Sequence, residues 1–117
     1  MNIKEQVTKM DAIVNEGAIV DAVKEFFSDH AKTSDYGNGG TNGKAEMISK
    51  MEGFAGAIGK VNGITHHNSI VEGNLSASEF TFDFDMKDGS KIYWHEIIRR
   101  KWNDEGKVIH EEYFNAK

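Results

Sequence analysis

Five alternate positions near the C-terminus carry residue types from which a reactive cavity could be built: Trp94, Glu96, Ile98, Arg100 and Trp102. Successive side chains of an extended strand point to opposite faces, so these five would share one face. A surface strand would not spend two Trp in this way, and a plain core strand would not carry Glu and Arg between them. Aromatic groups interleaved with opposite charges fit the lining of a cavity. Isolated buried charge is very costly, so these ionic groups need partners. Two readings follow. Arg100 is the centre of a structural ion network, or it anchors an anionic or carbonyl group of a ligand while a nearby carboxylate serves as acid or base.

The elements that would position this face can be read from hydrophobic periodicity. Ile3, Val7, Met10 and Val14 recur at helical spacing, and Gly17 interrupts them. A second helical stripe follows in Ile19, Val20, Val23, Phe26 and Phe27. Residues 28–43 (SDHAKTSDYGNGGTNG) are polar and rich in Gly and Asn, which predicts a loop with one short strand near Lys32–Tyr36. His30 is expected just past helix two, near its C-terminal carbonyls. Lys44–Ile58 forms a third helix with Met47, Ile48, Met51, Phe54, Ala55 and Ile58 on its buried stripe. Close packing against a sheet would account for Gly53 and Gly56 within it. From residue 64 the period becomes two. Strands are expected at His66–Glu72, around Phe80–Met86, at Lys91–Trp102 and at Val108–Asn115, with turns at Gly73-Asn74 and Asp88-Gly89. Helices followed by an antiparallel meander make an α+β fold, with the helices on one face of a curved sheet.

Composition narrows the class. A chain of 117 residues is expected to form one domain over 1–117, with 38% hydrophobic and 28% charged residues in a globular balance. There is no cysteine, which excludes disulfides, thiolate metal sites and a Cys nucleophile. No apolar run reaches the roughly 20 residues that span a bilayer, and MNIKEQVTKM lacks a signal-peptide centre, so a cytoplasmic protein without membrane association is expected. The formal net charge is −5, and the basic run Arg99, Arg100, Lys101 alternates between strand faces, which argues against nucleic acid as a partner. His66 and His67 are adjacent and would face opposite ways, while His95 and His110 could meet on an outer sheet face only in some registers. With no recognised ligand spacing, no metal is expected.

Four segments, in order and spacing, resemble a known superfamily: FFSDHAKTSD, NGKAEMI, MKDGSKIYWHE and RRKWNDEGKVIHEEYF. The chain is similar to the nuclear transport factor 2, ketosteroid isomerase and SnoaL-type polyketide cyclase proteins, and most closely to their uncharacterised SnoaL-like bacterial branch. The likeness runs along nearly the whole chain from Ile3. It implies a cone-shaped, cystatin-like fold: three N-terminal helices against a strongly curved antiparallel sheet, with a ligand cavity in the mouth. The same fold hosts isomerases, cyclases, dehydratases and non-catalytic binders, so it leaves the activity open.

The resemblance also bears on individual residues. If Trp102 pairs with Lys107, the even face of the Lys91–Trp102 strand lies beside Ile109, Glu111 and Tyr113. If a Gly bulge pairs Asn103 with Lys107, that face lies beside Val108, His110, Glu112 and Phe114. The family's cavity-facing pattern favours the first register, and with it Glu111 and Tyr113. An Asp soon after helix two is the general base of the steroid isomerases, and Asp35 falls close to that place; the alternative is a turn Asp bonded to nearby backbone. The isomerases' two oxyanion donors would correspond to Met10 and Ile98, which cannot donate, so that mechanism is not expected here. The candidate catalytic groups are thus Asp35, Glu96 and Glu111. Tyr36, Phe54, Phe82, Trp94, Ile98, Arg100 and Tyr113 are candidate ligand-binding residues, and Trp102 a further wall. The expectation is a small, partly apolar ligand and cofactor-free proton-transfer chemistry of isomerase, cyclase or dehydratase type; the alternative is a non-catalytic binding or interaction module. Family members commonly dimerise through the outer sheet face, here Tyr93, His95, Ile97 and Arg99, and a homodimer through it is expected.

Overall fold

A computed structural model describes residues 2–35 and 38–116. Three helices, α1 (Ile3–Asn15), α2 (Ile19–Phe26) and α3 (Lys44–Ala57), pack on six strands: β1 (Phe27–Asp35), β2 (Asn38–Asn42), β3 (Ile58–Glu72), β4 (Leu75–Met86), β5 (Lys91–Trp102) and β6 (Val108–Asn115). The sheet order is β2-β1-β6-β5-β4-β3. Every neighbouring pair is antiparallel except β1 and β6, which run parallel. This is the expected α+β arrangement of helices on a curved, unclosed sheet. Among the described residues no helix is long and apolar enough to cross a membrane.

The Asn2 side chain caps α1 by accepting from the Glu5 N–H at 3.2 Å. The helix ends where Gly17 adopts φ 87° and the Ala18 N–H reaches the Ile13 carbonyl at 3.2 Å, the arrangement a left-handed glycine permits just beyond a helix. Val7, Met10 and Val14 enter the core as the helical period predicts. They meet Ala22, Val23 and Phe26 of α2 and the inner face of β4, where Phe80, Phe82 and Phe84 are all buried.

Residues 28–43 hold more strand than the expected loop with one short strand near Lys32–Tyr36. The chain passes from α2 straight into β1, and β1 and β2 form a hairpin against β6. Pairing on both sides satisfies the β1 backbone, so only Ala31 and Thr33 need face the interior, and a polar sequence suffices for the rest. His30 therefore lies exposed in mid-strand rather than at a helix end. One of the glycines has a local cause: a Cβ on Gly40 would lie 2.2 Å from the Thr33 carbonyl oxygen. Two further expectations need correction. Strand β3 starts at Ile58, directly after α3, eight residues before His66. Gly53 and Gly56 of α3 face open space, so close packing does not explain them.

The C-terminal hairpin combines the parities of both anticipated registers, although Trp102 pairs with Val108 and not with Lys107. At its turn the Asn103 N–H donates to the Lys107 carbonyl at 2.8 Å, and Trp102 pairs with Val108. The register then shifts, so that Arg100 pairs with Glu111 and Ile98 with Tyr113. Ile109 is the extra residue of this bulge. It turns Val108 inward near the turn and Glu111 inward beyond it. Similar shifts interrupt β1 and β3 and help the sheet bend around the helices.

The close approach at Gly40 generates a paired expectation. Gly40→Ala should lower stability by about 1–3 kcal/mol, because backbone must move to admit the methyl group. Gly39→Ala, with nothing within 4 Å of its new Cβ, should be neutral or stabilising by up to ~1 kcal/mol. Urea unfolding of the two variants checks the difference in sign.

Candidate functional site

Inside the curve of the sheet lies an open cavity of about 280 Å3. Helix α1 contributes Met10 and Val14, α2 contributes Ile19, Ala22 and Val23, and α3 contributes Met47, Lys50, Met51 and Phe54. The sheet supplies Phe82, Phe84, Trp94, Ile98 and the polar groups Asp35, Glu96, Arg100, Glu111 and Tyr113. Of the residues of α3, only Met47 is fully buried. Ile48, Met51 and Phe54 are half-buried because the helix spans a space that the sheet does not fill. At the mouth, Trp94 is 39% exposed and stacks on Phe54, ring centroids 5.6 Å apart. Phe54 also meets Phe84 edge-on at 5.8 Å.

Arg100, only 1% exposed, forms the floor. Its Nε donates to Glu111 Oε2 at 2.8 Å and its Nη1 to Asp11 Oδ1 at 2.7 Å. The other Asp11 oxygen accepts from Ser78 at 2.7 Å and Ser69 at 2.6 Å, and His66 Nε2 stands 3.5 Å from it. Burial alone would lower the guanidinium pKa, but Glu111 and then Asp11 outweigh it and leave the value raised. Glu111 in turn accepts from the Tyr113 hydroxyl through its remaining oxygen. Burial of that hydroxyl, and next the adjacent Glu111 carboxylate, hold Tyr113 well above the ordinary phenol range. A neutral hydroxyl, rather than a phenolate, therefore faces the cavity. Among the described residues no buried side-chain nitrogen or oxygen lacks a hydrogen-bond partner.

The structure thus gathers Asp35, Glu96, Arg100, Glu111, Tyr113, Phe54, Phe82, Trp94 and Ile98 around one cavity. Their places in it differ from expectation in several respects. Asp35 sits at the rim with 43% of its side chain exposed, paired at 2.9 Å with Lys50, rather than desolvated deep in the cavity. Trp102 does not line the cavity: it is fully buried, donates to Ser76 Oγ at 3.0 Å and meets Phe26 edge-on. Tyr36 lies outside the described residues. Met10 and Ile98 both line the cavity, so the two positions matched to the isomerase oxyanion donors are apolar in place. Sequence reasoning missed Asp11. A signal was present, because Asp11 stands four residues after Val7 and three before Val14, within the buried stripe of α1. No cluster of His and carboxylate groups suited to a metal faces the cavity among the described residues; the one such cluster lies on the outer sheet face.

A curved sheet of this order, enclosing three helices around an open cavity, has clear counterparts among solved structures. The fold is that of the nuclear transport factor 2-like proteins. A candidate SnoaL-like polyketide cyclase from Mesorhizobium loti superposes with a TM-score of 0.85 at 20% identity, over 97% of this chain and 99% of that one. A nuclear transport factor 2-like protein of unknown function from Burkholderia pseudomallei gives 0.78 at 15% identity, covering 99% and 92%. A hypothetical protein from Catenulispora acidiphila with a ketosteroid isomerase-like fold, in complex with trimethylamine, gives 0.76 at 14% identity, covering 96% and 85%. No protein-family model matches the sequence, and no curated protein matches it. At these identities the likeness establishes the fold, and the chemistry must be argued from the cavity.

The ion network yields a graded expectation. Arg100→Met leaves Asp11 and Glu111 buried without their cation and should cost roughly 3–5 kcal/mol. Part of that loss should return on mild acidification: carboxylates stripped of a counter-charge bind protons more readily folded than unfolded, so stability falls as pH rises. Asp11→Asn keeps the Arg100–Glu111 pair and should cost about 1–3 kcal/mol. Urea unfolding at pH 7 and pH 5 separates the two.

Proposed function

We propose that the protein binds a small, largely apolar molecule in the mouth of the cone, with the ligand's polar end directed at Glu96, Glu111 and Tyr113. The observation that carries this reading is an open cavity of about 280 Å3 with apolar groups on most of its surface and ionisable groups on the sheet side. Its size is near the lower end of ordinary ligand pockets, about 300–1,000 Å3. Charge sets the ligand class. Lys50 is paired with Asp35, and Arg100 is shared between Asp11 and Glu111, so carboxylates outnumber cations around the polar end. An anionic ligand would meet repulsion there, which weakens the idea of Arg100 as an anchor for one. A neutral or cationic molecule bearing a hydroxyl or amine donor fits better: Tyr113 can accept from it while donating to Glu111.

Within this proposal the chemistry is cofactor-free proton transfer of isomerase, cyclase or dehydratase type, with Asp35, Glu96 and Glu111 as the candidate acids and bases. Apolar Met10 and Ile98 argue against an enolate held in the steroid-isomerase manner. One observation favours the alternative of a non-catalytic binding module: both Glu111 oxygens are engaged, by Arg100 and by Tyr113. The proposal also places the chain in the cytoplasm, in keeping with the absence of cysteine. It includes a homodimer through the outer sheet face, supported by Tyr93, which is 57% exposed. Light scattering at high protein concentration should give the dimer mass; a monomer there removes that part.

Fluorescence of Trp94 offers a direct test, because Trp102 is fully buried and Trp94 stands at the mouth. Small cyclic amines and phenols should change it saturably, and carboxylic acids of matched size should bind at least tenfold more weakly. Ala22→Phe, which fills the cavity from α2, should abolish the response while the circular dichroism spectrum is retained. Equal binding of acids and amines, or binding indifferent to Ala22→Phe, overturns the reading. For a ligand that is turned over, Glu96→Gln or Glu111→Gln should lower kcat by roughly 100-fold or more with little change in Kd if that residue transfers the proton.

A further inference from the structure

The outer face of the sheet holds a second concentration of chemistry, unconnected with the cavity. His67 of β3, Glu79 of β4 and His95 of β5 stand on three adjacent strands, and one donor atom from each lies within 4.8 Å of the others. His95 Nε2 is 2.5 Å from Glu79 Oε2, and the rings of His67 and His95 are 5.3 Å apart. The local backbone explains how they meet. The β3–β4 register shifts between His66 and Asn68, so His67 is the extra residue of a bulge. His66 turns inward to stack on Phe80, and His67 turns outward, its Nε2 2.7 Å from Thr81 Oγ1. Separations of 12 and 16 in sequence make no recognised ligand motif, and only the strand register brings the three together.

We propose that His67, Glu79 and His95 form a binding site for a divalent transition metal of the zinc class. Two imidazoles and one carboxylate are the donor set that such ions take, with a further position open to water or to a group from another molecule. Bonds of about 2.0–2.2 Å in tetrahedral geometry place donors about 3.4 Å apart. The His95–Glu79 contact need only lengthen by exchanging a hydrogen bond for coordination, and His67 need only leave Thr81. All three side chains have room to do so, since His67 is exposed while His95 and Glu79 keep 29% and 25% of their side-chain surface. Supporting contacts already exist: Asn68 Nδ2 donates to Glu79 Oε1 at 3.2 Å, which leaves Oε2 directed at His95. The strands fix the three backbones, so ordering a site costs little beyond side-chain rotation.

The test is zinc binding to tag-free, full-length protein, by titration calorimetry and by competition with a chromophoric chelator, together with the visible absorption of the cobalt(II) form. One equivalent of Zn2+ per chain is expected, with a cobalt spectrum of four- or five-coordinate intensity. His67→Ala and His95→Ala should each weaken binding at least tenfold, and Asn68→Ala should weaken it less than either. His30→Ala, altering an exposed histidine of β1, should bind as the wild type does. All are surface changes, and circular dichroism verifies that each variant is folded. Absence of saturable binding, or equal affinity in His67→Ala, His95→Ala and wild type, overturns the proposal.

Discussion

The interior is organised around one cation. Arg100 joins α1 through Asp11, β6 through Glu111 and β4 through Ser78, and the Asp11 cluster extends to β3 through Ser69. Five elements, α1 and strands β3 to β6, are thereby tied at one point below the cavity. A buried ion network of this kind adds little net stability over a well-packed apolar core, because desolvation offsets most of the attraction. Its effect is on specificity. With two carboxylates and a guanidinium buried together, only an arrangement that brings all three into contact is tolerable. That condition fixes the rotation of α1 about its axis and the register of β5 against β6 together.

The same network explains why the cavity can stay open. Trp102, Phe26, Phe27 and Val108 close one end of the cone as ordinary apolar core. At the other end α3 presents mostly half-buried residues, and the sheet bends away from it. A fully apolar floor would favour collapse of α3 onto β4 and β5. A polar floor of Glu96, Glu111 and Tyr113 opposes it, since closing apolar groups over them would strip their remaining contact with water. Polarity at the floor thus serves packing and candidate chemistry at once.

Much of this was legible in the chain, and the gaps have physical causes. The alternation Trp94, Glu96, Ile98, Arg100, Trp102 marked a mixed interior face because side-chain direction in a strand depends on parity alone. The bounds of β5 and β6 followed from the same period and from the Gly-containing turn. The hairpin register did not, because the bulge at Ile109 gives the turn one parity and the rest of the strand the other, and neither apolar pattern excludes the other. Strand β2 and the first half of β1 were hidden by a polar, glycine-rich composition, and only the short strand near Lys32–Tyr36 was expected; such a composition is permitted in β1 because pairing on both sides replaces side-chain burial, and in β2 because it is an edge strand. Asp11 was masked by its neighbours: a helical stripe is read from its apolar members, and a charge within it reads as a defect until its cation, 89 positions away, is placed beside it.

Strand β5 shows how one parity rule yields two chemically separate faces. Glu96 turns into the cavity beside Trp94 and Ile98, while its neighbour His95 turns out toward Glu79 and His67. The inner set lies beneath the helices in a cavity that is open at its mouth. The outer set lies on the face through which the homodimer is proposed and offers lone pairs there. On β3 a bulge is needed to produce the same division, since β3 must send His66 to the Asp11 cluster and His67 to the outer face at a point where the sheet also bends. Such irregularities help the sheet bend, and each one re-aims a side chain. In this fold the curvature that makes the cavity is also what brings an imidazole from β3 within reach of β4 and β5 on the opposite side.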